Sequence, residues 1–323
     1  MITSARIPTG AAIVDHDVVR HEGETLVVCV EDGGEVFTWS PESLTWTGRP
    51  LRYAHAGDPA VAAFPDAGNE LGALAAASVG GRLLMAAGGD EQEPALWDLG
   101  SGDVVGRTPL NGAYLAGVVA VPGGFVTAEQ YSEELRLWSP DGTATVLAEA
   151  GPVSCLATAR AADRLLVLAG GEGATAWDAA TWEELGSFFP DGDHLVAVTA
   201  CDLAQGAALL GVTETGELYA WPLDGDGDPD EPVYGPVGVA GGAVRSIAVM
   251  SVGGRSLLVT PADDTVRLWD PSDGSAAGSL GAHGQEVATV RTAIVGGRPV
   301  LVTSGGDGVV RVWDGFGLAG ARG

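Results

Sequence analysis

The stretch GGDGVVRVWD, residues 305–314, combines a turn, a short strand and a terminal Trp-Asp pair. Asp307-Gly308 is a turn signal, because glycine reaches positive φ without steric cost. Val309, Val310 and Val312 are β-branched and favour extended backbone. The decapeptide therefore predicts a tight turn that leads into a β-strand ending at its tryptophan.

The same strand-and-tryptophan pattern recurs along the whole chain. The matching segments are EVFTWS (35–40), PALWDL (94–99), ELRLWS (134–139), GATAWD (173–178), ELYAWP (217–222), TVRLWD (265–270) and VVRVWD (309–314). Their tryptophans are Trp39, Trp97, Trp138, Trp177, Trp221, Trp269 and Trp313. A period of about 40–45 residues with a terminal Trp-Asp is typical of four-stranded propeller blades. We therefore predict an all-β fold, a single seven-bladed β-propeller of four-stranded antiparallel blades that spans residues 1–323.

The composition agrees with many short strands joined by tight turns. The chain has 50 glycines and 18 prolines among 323 residues, a content that helical domains avoid because glycine destabilises a helix interior by about 1 kcal/mol. A single blade cannot bury both faces of its sheet. Blades stacked in a closed ring solve this problem and leave only short edges exposed.

The two ends of the chain are expected to meet in one blade. SARIPTGAAIVDHDVV (4–19) repeats the strand-then-turn pattern of SAAGSLGAHGQEVATV (275–290), whereas GFGLAGARG after residue 314 is too rich in glycine for a fourth strand. We therefore expect residues 2–8 to supply the outer strand of the last blade. That arrangement would close the ring.

The repeats resemble those of the WD40 family over essentially the whole chain, and most strongly in the last period. In that family a histidine, a Ser or Thr, an Asp and the tryptophan form a hydrogen-bonded tetrad. The resemblance implies that the structural tetrad here consists of His283, Ser304, Asp307 and Trp313. His16 and His194 lie near the family's histidine position, but their partners are out of register. Asp263 lies six residues before Trp269, as Asp307 does before Trp313, so the sixth blade is expected to keep part of the motif and the other blades to close by apolar packing.

The charge argues against nucleic-acid and membrane partners. The net charge is −27, and all 16 basic residues are arginine. Such a surface repels phosphate backbones and anionic lipid. The absence of Lys, with only two Asn, indicates a high-GC bacterial source such as an actinomycete. Residues 1–10 lack a signal-peptide pattern and no apolar run reaches membrane-spanning length, so a cytoplasmic protein is expected.

Motifs for catalysis are weak. Cys29, Cys155 and Cys201 are isolated, which favours buried reduced thiols. GFGLAG (315–320) matches GxGxxG but lacks the following helix and βαβ unit that a dinucleotide site needs. Of the five histidines (16, 21, 55, 194 and 283), three lie near a position defined by the repeats. We predict a protein that is not an enzyme and has no cofactor.

One stretch has spacing suited to a metal ion. In DGDGDPDEP (224–232), Asp224, Asp226 and Asp228 occupy positions 1, 3 and 5 of a calcium loop. Pro229 replaces the turn glycine, however, and Gly235 replaces the bidentate glutamate. The favoured interpretation is a solvated acidic loop, so no metal site is predicted, and these three aspartates remain a weak candidate.

Two irregularities bear on partners. From residue 165 to 244 there are 14 acidic residues and no basic one, which suits either a basic partner or a generally acidic protein. The long connection AHAGDPAVAAFPDAGNELG (54–72) carries Val61 and Phe64, which either pack against the blades or contact a partner. Long loops on a rigid scaffold often carry function.

These features predict a non-catalytic scaffold that binds a protein or peptide through the loops of one face and its rim. By the family's topology, this top face carries the outer-to-inner connections and the turns between second and third strands. The predicted partner-binding residues are Tyr114, Glu129, Gln130, Tyr131, Glu214, Arg245 and Gln285. One alternative is an enzyme or small-ligand binder that uses the central channel. Another is a structural or sensory subunit of a larger bacterial assembly.

Overall fold

The structure is a computed structural model that describes residues 1–52, 71–89, 92–109, 114–130, 132–190, 193–223, 231–239, 244–281 and 283–320. Within these ranges the strands form seven sheets of four antiparallel strands each. In six of the sheets the chain order is also the spatial order, from the innermost strand to the outermost, and in the seventh the outermost strand comes from the start of the chain. The predicted seven-bladed propeller is confirmed.

The first four blades follow one another along the chain. Blade one contains β2 (Ile13–His21), β3 (Glu24–Glu31), β4 (Val36–Ser40) and β5 (Thr45–Gly48). Blade two contains β6 (Leu71–Val79), β7 (Arg82–Gly89), β8 (Gln92–Asp98) and β9 (Val104–Arg107). Blade three contains β10 (Leu115–Val121), β11 (Gly124–Glu129), β12 (Glu134–Trp138) and β13 (Ala144–Glu149). Blade four contains β14 (Val153–Ala161), β15 (Arg164–Gly171), β16 (Ala174–Asp178) and β17 (Glu184–Phe188).

The remaining blades complete the ring. Blade five contains β18 (Leu195–Leu203), β19 (Gly206–Thr213), β20 (Glu217–Pro222) and β21 (Tyr234–Gly238). Blade six contains β22 (Ala248–Val252), β23 (Arg255–Ala262), β24 (Thr265–Trp269) and β25 (Ala276–Leu280). Blade seven contains β26 (Val287–Val295), β27 (Arg298–Gly305), β28 (Val309–Asp314) and, from the start of the chain, β1 (Thr3–Arg6).

The ring closes through β1, as the sequence predicted. Thr3 pairs with Val312 and Arg6 with Val309 across the β1–β28 ladder. Ile7, which follows β1, is buried in the contact between blades seven and one. The segment GFGLAG forms a short helix, α1 (Gly315–Gly320), so no fourth strand comes from this part of the chain.

The core consists of seven apolar clusters, one at each contact between neighbouring blades. Each cluster contains one of the seven repeat tryptophans, and that tryptophan packs against the preceding blade. Trp39 lies between blades seven and one, for example, and Trp97 between blades one and two. Because large aromatic side chains bury much apolar area, the repeated tryptophan holds each blade against the one before it.

The Asp307-Gly308 turn also contributes to the closure of the ring. Gly308 has a φ of +66°, a conformation that favours glycine. A Cβ at this position would collide with the carbonyl oxygen of Ala11, in the segment that links β1 to blade one. Asp307-Gly308 therefore provides both the turn and the close passage of the closing segment.

Candidate functional site

The top face is the end of the ring at which every innermost strand begins. Antiparallel strand order places the turns between second and third strands, and the connections from each blade to the next, at this same end. The opposite end carries the turns between first and second strands. Of the seven residues predicted to contact a partner, the six that the structure describes belong to segments of the top face.

These six described residues differ in how exposed they are to solvent. Tyr114, Glu214, Arg245 and Gln285 are exposed, and Gln130 is half-buried. Glu129 is wrong as a partner-binding residue, because it is only 3% exposed at the end of β11 and cannot be presented to a partner. Tyr131 lies outside the described residues.

An axial channel opens on the top face. Two cavities of about 380 Å³ and 680 Å³ share lining residues, among them Val118, Arg245 and Arg291, and so form consecutive sections of one passage. The smaller cavity is lined by the first residues of the innermost strands and is the upper section. The larger cavity continues towards the opposite end.

A β-bulge lies at the start of six innermost strands, within the part of each strand nearest the upper section. The ladder between the first two strands of a blade shifts by one residue there, as between Ile13 and Asp15 in blade one. The residues that follow the bulges occupy equivalent positions: Asp15, Ala73, Gly117, Cys155, Ala197 and Thr289. The register thus brings residues from distant parts of the sequence into one ring.

The channel wall is consequently polar on one side and apolar on the other. Blades six, seven and one contribute Ser246, Thr289, Arg291, Asp15 and Asp17. Blades two to five contribute Ser154 and Glu214 to the upper section but otherwise small or aliphatic side chains: Gly72, Ala73, Leu115, Ala116, Gly117, Val118, Cys155, Leu156 and Val196. No histidine lies among the described residues that line either cavity.

Asp15 is the centre of the polar wall. Its Oδ1 accepts from Thr289 Oγ1 at 2.9 Å, and its Oδ2 accepts from the backbone N–H of Leu74 at 3.0 Å. Arg291 Nη2 lies 3.4 Å from the same carboxylate, and Arg291 Nη1 donates to Ser246 Oγ at 2.9 Å. One buried carboxylate therefore joins blades seven, one and two, and compensates the charge of Arg291.

Asp17 makes a similar link one pleat further down the channel. Its Oδ2 accepts from the backbone N–H of Ala76 in blade two at 2.8 Å. Desolvation raises the pKa of its carboxyl, although the nearby charge of Arg291 acts in the opposite direction. Charge on Asp17 is thus less favourable in the folded protein than in water.

Arg245 and Arg291 both line both cavities, but they differ in their polar contacts. Arg245 precedes β22, is exposed and has no hydrogen-bond or ion-pair partner among the described residues. The other charged side chains of the upper section are Asp15, Glu214 and Arg291. Since Asp15 already pairs with Arg291, Arg245 is the uncompensated cation at the channel mouth.

The residues of the predicted tetrad come together in blade seven with one change of residue, and Arg311 contacts both His283 and Asp307. Trp313 Nε1 donates to Thr303 Oγ1 at 2.9 Å, and His283 Nε2 lies 2.7 Å from the same oxygen. Asp307 Oδ1 lies 3.5 Å from His283 Nδ1. The hydroxyl is therefore that of Thr303, and Ser304 was the wrong choice, because neighbouring residues of a strand point to opposite faces.

Ser304 instead contacts the first blade. Its Oγ lies 2.6 Å from Nδ1 of His16, across the contact between blades seven and one. His16 is fully buried inside β2, and burial together with the charge of Arg291 lowers its pKa well below the ordinary value. His16 thus ties two blades together and is not the counterpart of His283.

The other histidines have separate surroundings. His194 is exposed immediately before β18, where its backbone N–H bonds to Asp193. His21 Nδ1 lies 2.9 Å from Ser78 Oγ of blade two. His55 lies outside the described residues, as do Val61 and Phe64 of the long connection.

Two further blades keep part of the tetrad: this was expected for blade six, whereas in blade three it corrects the expectation of apolar closure. Trp138 Nε1 donates to Thr127 Oγ1, and Trp269 Nε1 donates to Thr260 Oγ1, each at 2.9 Å. In blade one the equivalent position is Cys29, since Val27 pairs with Trp39 as Leu301 pairs with Trp313. The bond therefore forms where the second strand has a threonine two residues after the residue that pairs with the tryptophan across the ladder.

The three cysteines are free and buried. Burial raises the pKa of the Cys155 and Cys201 thiols to about 12, and raises that of Cys29 further. All three are therefore protonated at neutral pH, and a thiol is a poor nucleophile compared with its thiolate.

The remaining predicted features lie partly outside the residues that the structure describes. Asp224, Asp226 and Asp228 are not among the described residues. Within the described ranges, no group of three or more His, Cys, Asp or Glu side chains is arranged to hold a metal ion. In the acidic segment 165–244, Glu172, Glu183, Glu184 and Glu214 are exposed on blades four and five.

Comparison with known proteins adds no family. No protein-family model and no curated protein matches this chain. Among the described residues, no helix combines the length and apolar character needed to cross a membrane.

Proposed function

We propose that this propeller is a non-catalytic platform that binds a protein or peptide partner on its top face. The observation that carries the proposal is the placement of Tyr114, Glu214, Arg245 and Gln285. They come from four different blade connections and turns, and all four are exposed on one face. Tyrosine and arginine are the residue types that most often anchor a protein interface.

The fold favours such a role for a physical reason. β-Propellers commonly serve as interaction scaffolds, because stacked sheets hold their loops at fixed positions. A partner that docks on preordered loops loses little conformational entropy in the platform itself. A contact of about 800 Å² per partner, typical of specific complexes, fits on a face of this size.

The state of the nucleophilic groups supports binding over catalysis. The thiols of Cys29, Cys155 and Cys201 are buried and protonated, and His16 and His283 are enclosed in contacts within and between blades. General acid–base catalysis needs a group within reach of a substrate. The described histidines that are buried serve packing and register.

We also propose that the chain is a WD40-type propeller. The contacts among His283, Thr303, Asp307 and Trp313 support this assignment, as do the Trp–Thr bonds of blades three and six. A cytoplasmic location and a high-GC bacterial source remain proposals that rest on composition alone.

Affinity purification with matched variants tests the platform. The top-face variant replaces Tyr114, Arg245 and Gln285 by alanine, and the control replaces Ile294 and Arg298, which are exposed at the opposite end. A partner enriched by the wild type and the control but lost with the top-face variant supports the proposal. A partner retained equally by both variants, or recovery of none from the native host, would overturn it.

A further inference from the structure

We propose that the upper section of the axial channel binds a monocarboxylate attached to a small apolar group, with Arg245 as its anchor. The C-terminus of a peptide and a small organic acid share this chemistry. The inference does not depend on the partner-binding proposal, because a free organic acid satisfies it equally well.

The size and two-sided wall of the channel are the first argument. Small-molecule sites are concave, mostly apolar and supplied with a few convergent polar groups, in volumes of about 300–1,000 Å³. The upper section has a volume of about 380 Å³ and opens into the larger cavity. Its apolar side includes Leu115, Val118, Leu156 and Val196, which suit an aliphatic group.

The second argument is the contrast between its two arginines. Arg291 pairs with Asp15 and donates to Ser246, so its charge is compensated within the wall. Arg245 lines the same cavity without a partner among the described residues. Guanidinium pairs with carboxylate in a planar, two-bond geometry, and a cleft with low-dielectric walls strengthens that attraction.

The third argument limits the charge of the ligand. Glu214 lines the same section as Arg245 and, unlike Asp15, has no cation partner among the described residues. Its carboxylate would repel a second negative charge on the ligand. The arrangement therefore favours a single carboxylate over a dicarboxylate or a phosphate.

Ser246 and Thr289 do not change this assignment. Ser246 Oγ accepts from the backbone N–H of Val290 and donates to its carbonyl, and Thr289 Oγ1 donates to Asp15. The single O–H donor of each hydroxyl is thus engaged within the wall and is not free for an anion. They hold the polar side in shape and leave recognition of the anion to Arg245.

The test uses two probes with the full chain. The first is an N-terminally labelled Gly-Gly-Ala-Val peptide with a free C-terminus, compared with its C-terminal amide by fluorescence anisotropy. The second is isobutyrate, measured by ligand-observed NMR and compared with succinate and inorganic phosphate. Binding of the peptide acid identifies a chain terminus as the ligand, and binding of isobutyrate alone identifies a small acid.

Arg245→Ala is expected to weaken binding of the preferred probe at least tenfold. Arg267→Ala is the matched control, because Arg267 is also exposed and without a partner among the described residues but lies on the third strand of blade six. It should bind as the wild type does. Glu214→Gln is expected to reduce the preference for isobutyrate over succinate.

Three results would overturn the inference. They are no binding of either carboxylate at millimolar concentration, equal binding of the peptide acid and its amide, and equal affinity of the Arg245 and Arg267 variants. None of them bears on the top-face proposal, which affinity purification tests separately. Equal thermal stability of both variants is the check that loss of binding is not loss of fold.

Discussion

Nη1 of Arg311 lies 2.6 Å from Nδ1 of His283. A guanidinium only donates hydrogen bonds, so Nδ1 must accept and the ring proton of a neutral His283 resides on Nε2. Nε2 lies 2.7 Å from Thr303 Oγ1 and donates this proton to it. Arg311 also pairs with Asp307 through Nη2 at 2.6 Å. The tetrad of blade seven is therefore built around a neutral histidine of fixed tautomer.

Stability is expected to fall as the pH drops from 6.5 to 4. Burial, followed by the charge of Arg311, lowers the pKa of His283 from 6.5 to about 4. Below pH 6.5 the unfolded chain takes up a proton that the folded chain does not, so the free energy of unfolding decreases towards the folded-state pKa. The loss from His283 alone amounts to about 3 kcal/mol at most. Urea unfolding at pH 7, 6, 5 and 4.5 measures it.

His283→Gln provides the comparison for this pH dependence. It should flatten the decline between pH 6.5 and 4, and the remaining slope should include the contribution of His16, whose pKa is also lowered. His194→Gln, at the exposed position before β18, is the control for the His-to-Gln change itself. A slope equal to that of the wild type in the His283 variant would contradict the assignment.

Thr303→Val should destabilise the protein more than Ser304→Ala. The first change leaves two buried donors without an acceptor, Trp313 Nε1 and His283 Nε2, whereas the second removes a single partner of His16. An unsatisfied buried polar group costs about 1–3 kcal/mol. We therefore expect a loss of about 3 kcal/mol for Thr303→Val and about half of that for Ser304→Ala, measured by chemical denaturation.

The order of these two losses distinguishes the two assignments of the tetrad. Thr303→Ser keeps the hydroxyl and should restore most of the stability. If Ser304→Ala were the more damaging change, the sequence-based assignment would be right and the hydrogen bonds described here wrong.

Asp15→Asn should lower stability clearly more than Asp17→Asn. Replacing Asp15 leaves the cation of Arg291 without its partner and weakens links to blades two and seven. Replacing Asp17 also loses one acceptor, but it removes a charge that desolvation disfavours. We expect about 2 kcal/mol for Asp15→Asn and less than about 1 kcal/mol for Asp17→Asn.

The comparison of the two aspartates needs one control for folding. Circular dichroism at pH 7 should show the same strand content in both variants before denaturation. Equal losses would indicate that the carboxylates act only as acceptors for backbone N–H groups, and that pairing with Arg291 adds nothing.

Removal of residues 1–10 should lower the melting temperature by more than about 5 °C. This deletion takes away β1 and Ile7, exposes the edge of β28 and opens the contact between blades seven and one. Removal of residues 318–323 is the matched control and should have a much smaller effect. Equal shifts in differential scanning calorimetry would contradict closure through β1.

The repeated tryptophans are the part of the fold that the sequence predicted best. Every blade contact contains one of them. The pattern holds because a large apolar side chain at the same position of each third strand is buried against the preceding blade. The closing strand was also predictable, since a four-stranded last blade lacks one strand unless the start of the chain supplies it. These are local patterns repeated at a regular interval.

The choice between Thr303 and Ser304 shows the limit of that reasoning. Both are small hydroxyl residues in the same strand, and the distance in sequence from threonine to tryptophan varies between blades: 11 residues from Thr127 to Trp138 and 9 from Thr260 to Trp269. Turn length and strand register decide which hydroxyl faces the tryptophan. Turn length and strand register also explain why the side chain of Glu129 is buried, although it was predicted to contact a partner.

By itself, the sequence determined the number of blades, the position of each tryptophan and the strand that closes the ring, because repeat spacing and apolar patterning are properties of the chain. Only the tertiary structure decided that Asp15 meets Arg291, that His16 meets Ser304, and that Arg245 lines the channel without a partner among the described residues. The physical reason is that the closure of the ring, and the bulges that set each register, bring the first and last blades together across nearly the whole length of the chain.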